Sequence, residues 1–136
     1  MISTKGRYAL RVMLDLAEYG EGKYIPLKEI ADRQEISDKY LEIILKSLVK
    51  KKLLKGVRGK GGGYQLTRSL KDYTVGEILE TAEGSLAAVA CLMEDAEPCP
   101  RASHCHTLPM WKELDTLIHD FFYGKSLADL LSQKTS

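Results

Sequence analysis

The stretch SDKYLEIILKSLVKKKLLKGVRGKGGGYQLTRSLK, residues 37–71, carries ten Lys or Arg against two acids, a local charge of +8 in a chain whose net charge is +1. Residues 1–36 balance six basic against six acidic side chains, and residues 72–136 hold four basic and eleven acidic ones. Basic charge concentrated in one segment points to a polyanionic partner rather than to a generally solvated surface. Inside the segment, Ser37 is placed to cap a helix whose apolar stripe is Tyr40, Leu41, Ile44, Leu45 and Leu48. The opposite face is left to Asp38, Lys39, Glu42, Ile43, Lys46, Ser47 and Lys50. Leu54–Val57 and Gly63–Leu66 then read as the two strands of a hairpin with Arg58 and Lys60 at its tip. A helix followed by a basic hairpin is the plan of a winged helix.

Upstream, Leu27–Gln34 makes a short helical pattern after Pro26, and Glu35-Ile36-Ser37 is a three-residue link. This is helix-turn-helix spacing, in which the second helix enters the major groove of duplex DNA and neighbouring cations hold phosphates. Before it, Tyr8, Ala9, Val12, Met13, Leu16 and Ala17 form the core stripe of a first helix that ends near Gly20, with Lys5 and Arg7 near its start able to reach phosphate.

Downstream, Thr74-Val75-Gly76-Glu77 has capping-box spacing and opens a helix to about Glu83, with Gly84 just past its end. The DNA-binding domain is expected to span 1–84. Residues 85–108, SLAAVACLMEDAEPCPRASHCHTL, show no sustained period over their second half and read as a loop holding all three cysteines. Pro109 is expected to start a long helix that Gly124 stops, with Met110, Leu114, Leu117 and Phe121 at 4-3-4 spacing and Trp111, Ile118 and Phe122 widening the stripe. So wide an apolar stripe is expected both to pack on the body and to pair two chains into a homodimer. Dimerisation helix and a short capped turn from Ser126 fill 109–131, and 132–136 is a polar tail.

Cys91, Cys99 and Cys105 stand in a C-x7-C-x5-C pattern beside His104 and His106. Thiolates in an irregular loop suit iron–sulfur clusters, zinc or copper(I), and the spacing alone does not choose among these or exclude uncoordinated thiols. The nearby Glu94, Asp95 and Glu97 raise thiol pKa values, which favours a metal that holds the thiolates deprotonated over a purely reactive thiol.

STKGRYAL at 3–10, LKEIADRQEIS at 27–37 followed by YLE at 40–42, and VRGKGGGYQL at 57–66 resemble the winged-helix transcription regulators typified by IscR, NsrR, RirA and CymR. The resemblance covers nearly the whole chain. It implies a regulator, expected to be a repressor, that contacts DNA through Lys5, Arg7, Ser37, Lys39, Tyr40, Glu42, Lys46, Arg58, Lys60 and Gly61. IscR-like members carry three cysteines just before the long helix and bind an iron–sulfur cluster there, [2Fe-2S] or [4Fe-4S], whereas CymR-like relatives lack them. The cluster's fourth ligand in IscR-like proteins is a histidine three residues after the third cysteine, and Leu108 stands at that place here. His106, His104 or an oxygen ligand, even one from a second chain, could substitute. The acid of YLE is tied in those proteins to cluster-dependent sequence choice, so Glu42 is expected to meet the groove differently in holo and apo forms. The alternative within the family is control by thiol oxidation, zinc or a protein partner.

Other classes fit less well. Neither G-x-x-x-x-G-K-[ST] nor G-x-G-x-x-G can be laid on residues 59–63, and no orienting group for a Cys-His nucleophile is identifiable, so no enzyme is expected. A protein-binding adaptor leaves the +8 segment unexplained. With no run of 18 apolar residues and an odd number of cysteines, the expectation is a cytoplasmic protein without membrane association.

Overall fold

A computed structural model describes residues 2–89, 92–93 and 105–133. Its elements are α1 (Thr4–Tyr19), α2 (Leu27–Gln34), α3 (Asp38–Lys50), β1 (Leu54–Val57), β2 (Gly63–Leu66), a 3-10 turn at Leu70–Asp72, α4 (Val75–Glu83), α5 (Leu108–Tyr123) and α6 (Leu127–Ser132). The expected fold, mainly helical with a small antiparallel hairpin, is the fold observed.

Local chemistry fixes most boundaries. The Ser3 and Ser37 hydroxyls accept from the amides of Gly6 and Tyr40 at the starts of α1 and α3. Thr74 with Glu77 and Ser126 with Asp129 form complete capping boxes on α4 and α6. Glu35 closes α2 at φ 55°, the left-handed residue that turns the chain into α3. One boundary shifts: α5 begins at Leu108 rather than Pro109, because Thr107 supplies the carbonyl that receives the Trp111 amide and Pro109 then sits inside the first turn.

Val12, Met13, Leu16, Ile30, Leu41, Ile44, Leu45, Leu48 and Leu54 are buried in one core where α1, α2, α3 and β1 meet. A second, smaller cluster of Val75, Leu79 and Leu86 is covered by Ile118, Phe122 and Tyr123 of α5. Burial pushes the Tyr123 phenol up to about 12, helped by a hydrogen bond to Glu80.

Tyr73, fully buried, joins the wing to the body. Its hydroxyl donates to the Leu53 carbonyl (2.7 Å) and accepts from the amides of Thr67 (2.7 Å) and Arg68 (3.1 Å). The hairpin also gains a third, one-residue strand, since Ile25 and Tyr64 exchange both backbone hydrogen bonds (2.9 and 2.8 Å). Gly63 makes this possible: at φ 138° it lies where L side chains rarely go, and a Cβ there would sit 2.3 Å from the Ile25 carbonyl.

Two polar features also tie the helices together. Asp15 is buried on α1 and receives Nε (3.0 Å) and Nη2 (2.8 Å) of Arg33 and Nε2 of Gln34 (2.9 Å), both from α2. Glu83, the last residue of α4, accepts from the Ser3 amide (2.9 Å), the Ser3 hydroxyl (2.6 Å) and the Gly6 amide (3.1 Å) at the start of α1. Burial raises the Glu83 carboxyl, but these donors at a helix N-terminus outweigh it and leave the group below the usual carboxylate range.

Candidate nucleic-acid interface

Burial of Leu41, Ile44, Leu45 and Leu48 turns the other side of α3 outward, and Lys39, Glu42, Ile43, Lys46 and Lys50 are exposed on it. Helix α2 packs across α3, and an ion pair from Lys28 to Asp38 (3.8 Å) links the two at the surface. Arg58, Lys60 and Gly61 are exposed at the tip of the hairpin, where Gly59 and Gly61 take positive φ values of 92° and 79°. Arg7 is exposed near the start of α1, and Lys5 is half-buried.

Not every predicted site residue has its polar group available. The Ser37 hydroxyl is engaged in the α3 cap (3.2 Å from the Tyr40 amide). The Tyr40 ring is partly buried edge-on against Tyr8, with centroids 5.7 Å apart, which wedges α3 against α1. Lys39, Glu42, Lys46, Arg58 and Lys60 take part in none of the ion pairs among the described residues. Glu42 therefore does not make the simple surface pair with Lys39 or Lys46 that its position allows.

Arg68 belongs to the basic segment but is used internally. Its Nη1 lies 2.8 and 2.9 Å from the two oxygens of Glu77, and its guanidinium stacks 5.2 Å from the Tyr73 ring centroid. Counting charge along the sequence overstates the segment's free cations for this reason. The sequence carries a signal for this, because the capping-box glutamate nine residues downstream is a natural partner for an arginine just past the strand.

Of the predicted cluster ligands, Cys91 and Cys99, and the neighbouring His104, lie outside the described residues. Cys105 is half-buried with its sulfur 3.3 Å from the Thr107 hydroxyl, and His106 is exposed. Among the described residues, no three His, Cys, Asp or Glu side chains are grouped to hold a metal ion. Leu108, at the place of the histidine ligand in IscR-like members, is the first residue of α5. The donor set of three thiols with adjacent imidazoles is chemically suited to an iron–sulfur cluster. A cleft of about 550 Å3 between α4 and α5 is lined by Glu80, Glu83, Leu92, Met93, Asp115 and His119. Across it the Ala88 amide donates to Asp115 (3.3 Å), anchoring the chain that leaves α4.

The predicted pairing seam on α5 divides into two faces. Ile118 and Phe122 turn inward onto α4, whereas Met110 (51%), Leu117 (62%) and Phe121 (60%) are exposed and Leu114 is half-buried. No helix among the described residues is long and apolar enough to cross a membrane.

This arrangement has close counterparts. The HTH-type transcriptional regulator IscR of Pectobacterium carotovorum is 36% identical over 133 residues, covering 98% of this chain and 80% of that protein. The structure of CymR, the global cysteine regulator of B. subtilis, superposes with a TM-score of 0.77 at 32% identity, covering 99% of this chain and 98% of that one. An oxidised form of Staphylococcus aureus CymR superposes with a TM-score of 0.74 at 31% identity, covering 100% and 99%. Residues 2–133 match the Rrf2 family, described as iron-dependent transcriptional regulators. Fold, exposed basic face and sequence thus agree that this chain is a DNA-binding transcriptional regulator, not an enzyme, and belongs to the Rrf2 family.

Proposed function

We propose that the chain is a cytoplasmic, homodimeric repressor whose α3 enters the major groove of an operator while the hairpin tip grips the flanking backbone. An iron–sulfur cluster in the 85–108 segment sets its affinity. The observation that carries the DNA reading is the set of exposed cations on the outer face of α3 and at the hairpin tip, Lys39, Lys46, Arg58 and Lys60, none of which takes part in an ion pair among the described residues. Cys91, Cys99 and Cys105 would hold the cluster, with His106, His104 or an oxygen as the fourth donor. Bound there, a cluster would supply a one-electron or oxidant-sensitive group. The protein's own part is to tie that segment to α5 through the Ala88–Asp115 hydrogen bond and to tie the end of α4, where the segment leaves, to the start of α1 through Glu83.

Replacing Arg58 and Lys60 together by alanine is expected to weaken binding to duplex DNA and to lower the slope of log affinity against log salt by roughly two, about one per phosphate contact. Titrations at two or more salt concentrations measure this, and an unchanged slope removes the hairpin from the interface.

Anaerobic purification with an absorption spectrum and iron and sulfide assays tests the cluster. Wild type is expected to hold both iron and sulfide, and the variant with Cys91, Cys99 and Cys105 replaced by alanine neither. A second reading, control by thiol oxidation, is favoured by the likeness to a CymR solved in an oxidised form. Under that reading wild type carries no sulfide, and oxidant alone changes its DNA affinity.

A further inference from the structure

We infer that Ile43 is a specificity-determining side chain that reads thymine by packing on its 5-methyl group. The inference rests on the reading of α3 as the helix in the groove, and it adds an apolar contact that the predicted DNA-contacting set lacks. Six residues of α3 are exposed: Asp38, Lys39, Glu42, Ile43, Lys46 and Lys50. Ile43 is the one uncharged member, and 53% of it is accessible. Its spacing from Lys39 (i−4), Lys46 (i+3) and Lys50 (i+7) puts it in the middle of the cationic face, not at its edge.

The other uncharged side chains of the helix have partners within the chain. Tyr40 packs against Tyr8, Val49 against the core, and the Ser47 hydroxyl donates back to the Ile43 carbonyl at 3.3 Å. Singly exposed apolar residues are ordinary on protein surfaces. A β-branched side chain ringed by lysines is different, because the cations bring a polyanion to it and the described residues leave 53% of it accessible. In the major groove only thymine offers an exposed methyl, whereas each hydrogen-bonding group on the other bases would be desolvated by Ile43 without compensation. Lysines to phosphate, Glu42 to a cytosine amino group and Ile43 to a thymine methyl make a division of labour that three side-chain chemistries on one face can support.

The test starts with selection of sites from a pool of random duplexes by wild type, Ile43→Ala, Ile43→Val, Glu42→Ala and Lys46→Ala, with thermal melts confirming that each variant is folded. Thymines in the selected duplex are then replaced one at a time by deoxyuridine, which keeps base pairing and lacks the methyl. Wild type and Ile43→Val are expected to lose about fourfold in affinity at one or two thymines per half-site, the effect of one methyl returned to water. Ile43→Ala is expected to bind the two duplexes almost equally and to relax selection at those positions alone. If Glu42→Ala or Lys46→Ala changes binding while Ile43→Ala keeps wild-type selection and the same thymine preference, the inference fails and the groove placement of α3 survives. If none of the variants changes binding or selection, both fail together.

Discussion

Arg33→Ala is expected to lower the free energy of unfolding by about 3–5 kcal/mol, although Arg33 lies on the surface side of α2. The reason is what it leaves behind. The Asp15 side chain is 0% exposed, and two of its three donors come from Arg33, so truncation strands a buried carboxylate with Gln34 as its remaining partner. The pairing is reciprocal: the hydrogen bond to Asp15 raises the Arg33 pKa despite partial burial, and Tyr19 stacks 4.4 Å from the guanidinium. Replacing Asp15 by leucine in the same chain is expected to recover much of the loss, because the cost lies in the unpaired charge more than in the missing bridge. Chemical denaturation of both variants measures this. A loss under about 1 kcal/mol for Arg33→Ala would mean that water reaches Asp15. Since α2 seats α3, the single variant should also lose DNA affinity at temperatures where it is still mostly folded.

Leu114→Asp combined with Leu117→Asp is expected to give monomers and to cost DNA affinity by roughly 10²- to 10⁴-fold, the effective-concentration gain of holding two half-sites at once. The outward face of α5 exposes Met110, Leu117 and Phe121 in one line, a cost to the solvated monomer that a second copy of the helix would remove. Ile118, Phe122 and Tyr123, which fix α5 to α4, are untouched, so the variant should keep its fold. Sedimentation distinguishes the outcomes: a double variant that remains dimeric places the seam elsewhere.

Much of this architecture is legible before any coordinates, because it is written in short-range chemistry. Capping residues Ser37, Thr74 and Ser126, the 3.6-residue stripes and the glycine-rich turn each act over a few positions. What the sequence does not disclose depends on pairs brought together by the fold. Asp15 looks like a solvent-facing acid until Arg33, 18 residues away, is laid across it. Arg68 looks like one more cation for DNA until Glu77 claims it. The apolar residues of α5 read as one wide stripe because their angular positions adjoin, and only packing on α4 separates Ile118 and Phe122 from Leu117 and Phe121. Likewise Ile43 is plain in the sequence, but its isolation becomes visible only when every other uncharged residue of α3 has been given a neighbour.

The contact between Glu83 and the start of α1 places a constraint on which sequences this fold accepts. A Cβ at position 6 would lie 2.3 Å from the Glu83 carboxylate, so any side chain there expels the acid from the amides it holds. Conversely, without an acid at 83 the Ser3 and Gly6 amides lose the acceptor that supplements the Ser3 cap, and a glycine inside a helix becomes a net cost of roughly 0.5–1 kcal/mol. Positions 6 and 83, separated by 77 residues, are thus coupled through one contact, so a change at either alters what the other contributes. The glycine of STKGRYAL, which read alone weakens the first helix, is the socket for a carboxylate that arrives at the far end of the domain. That contact ties the start of α1, where Lys5 and Arg7 lie, to the end of α4.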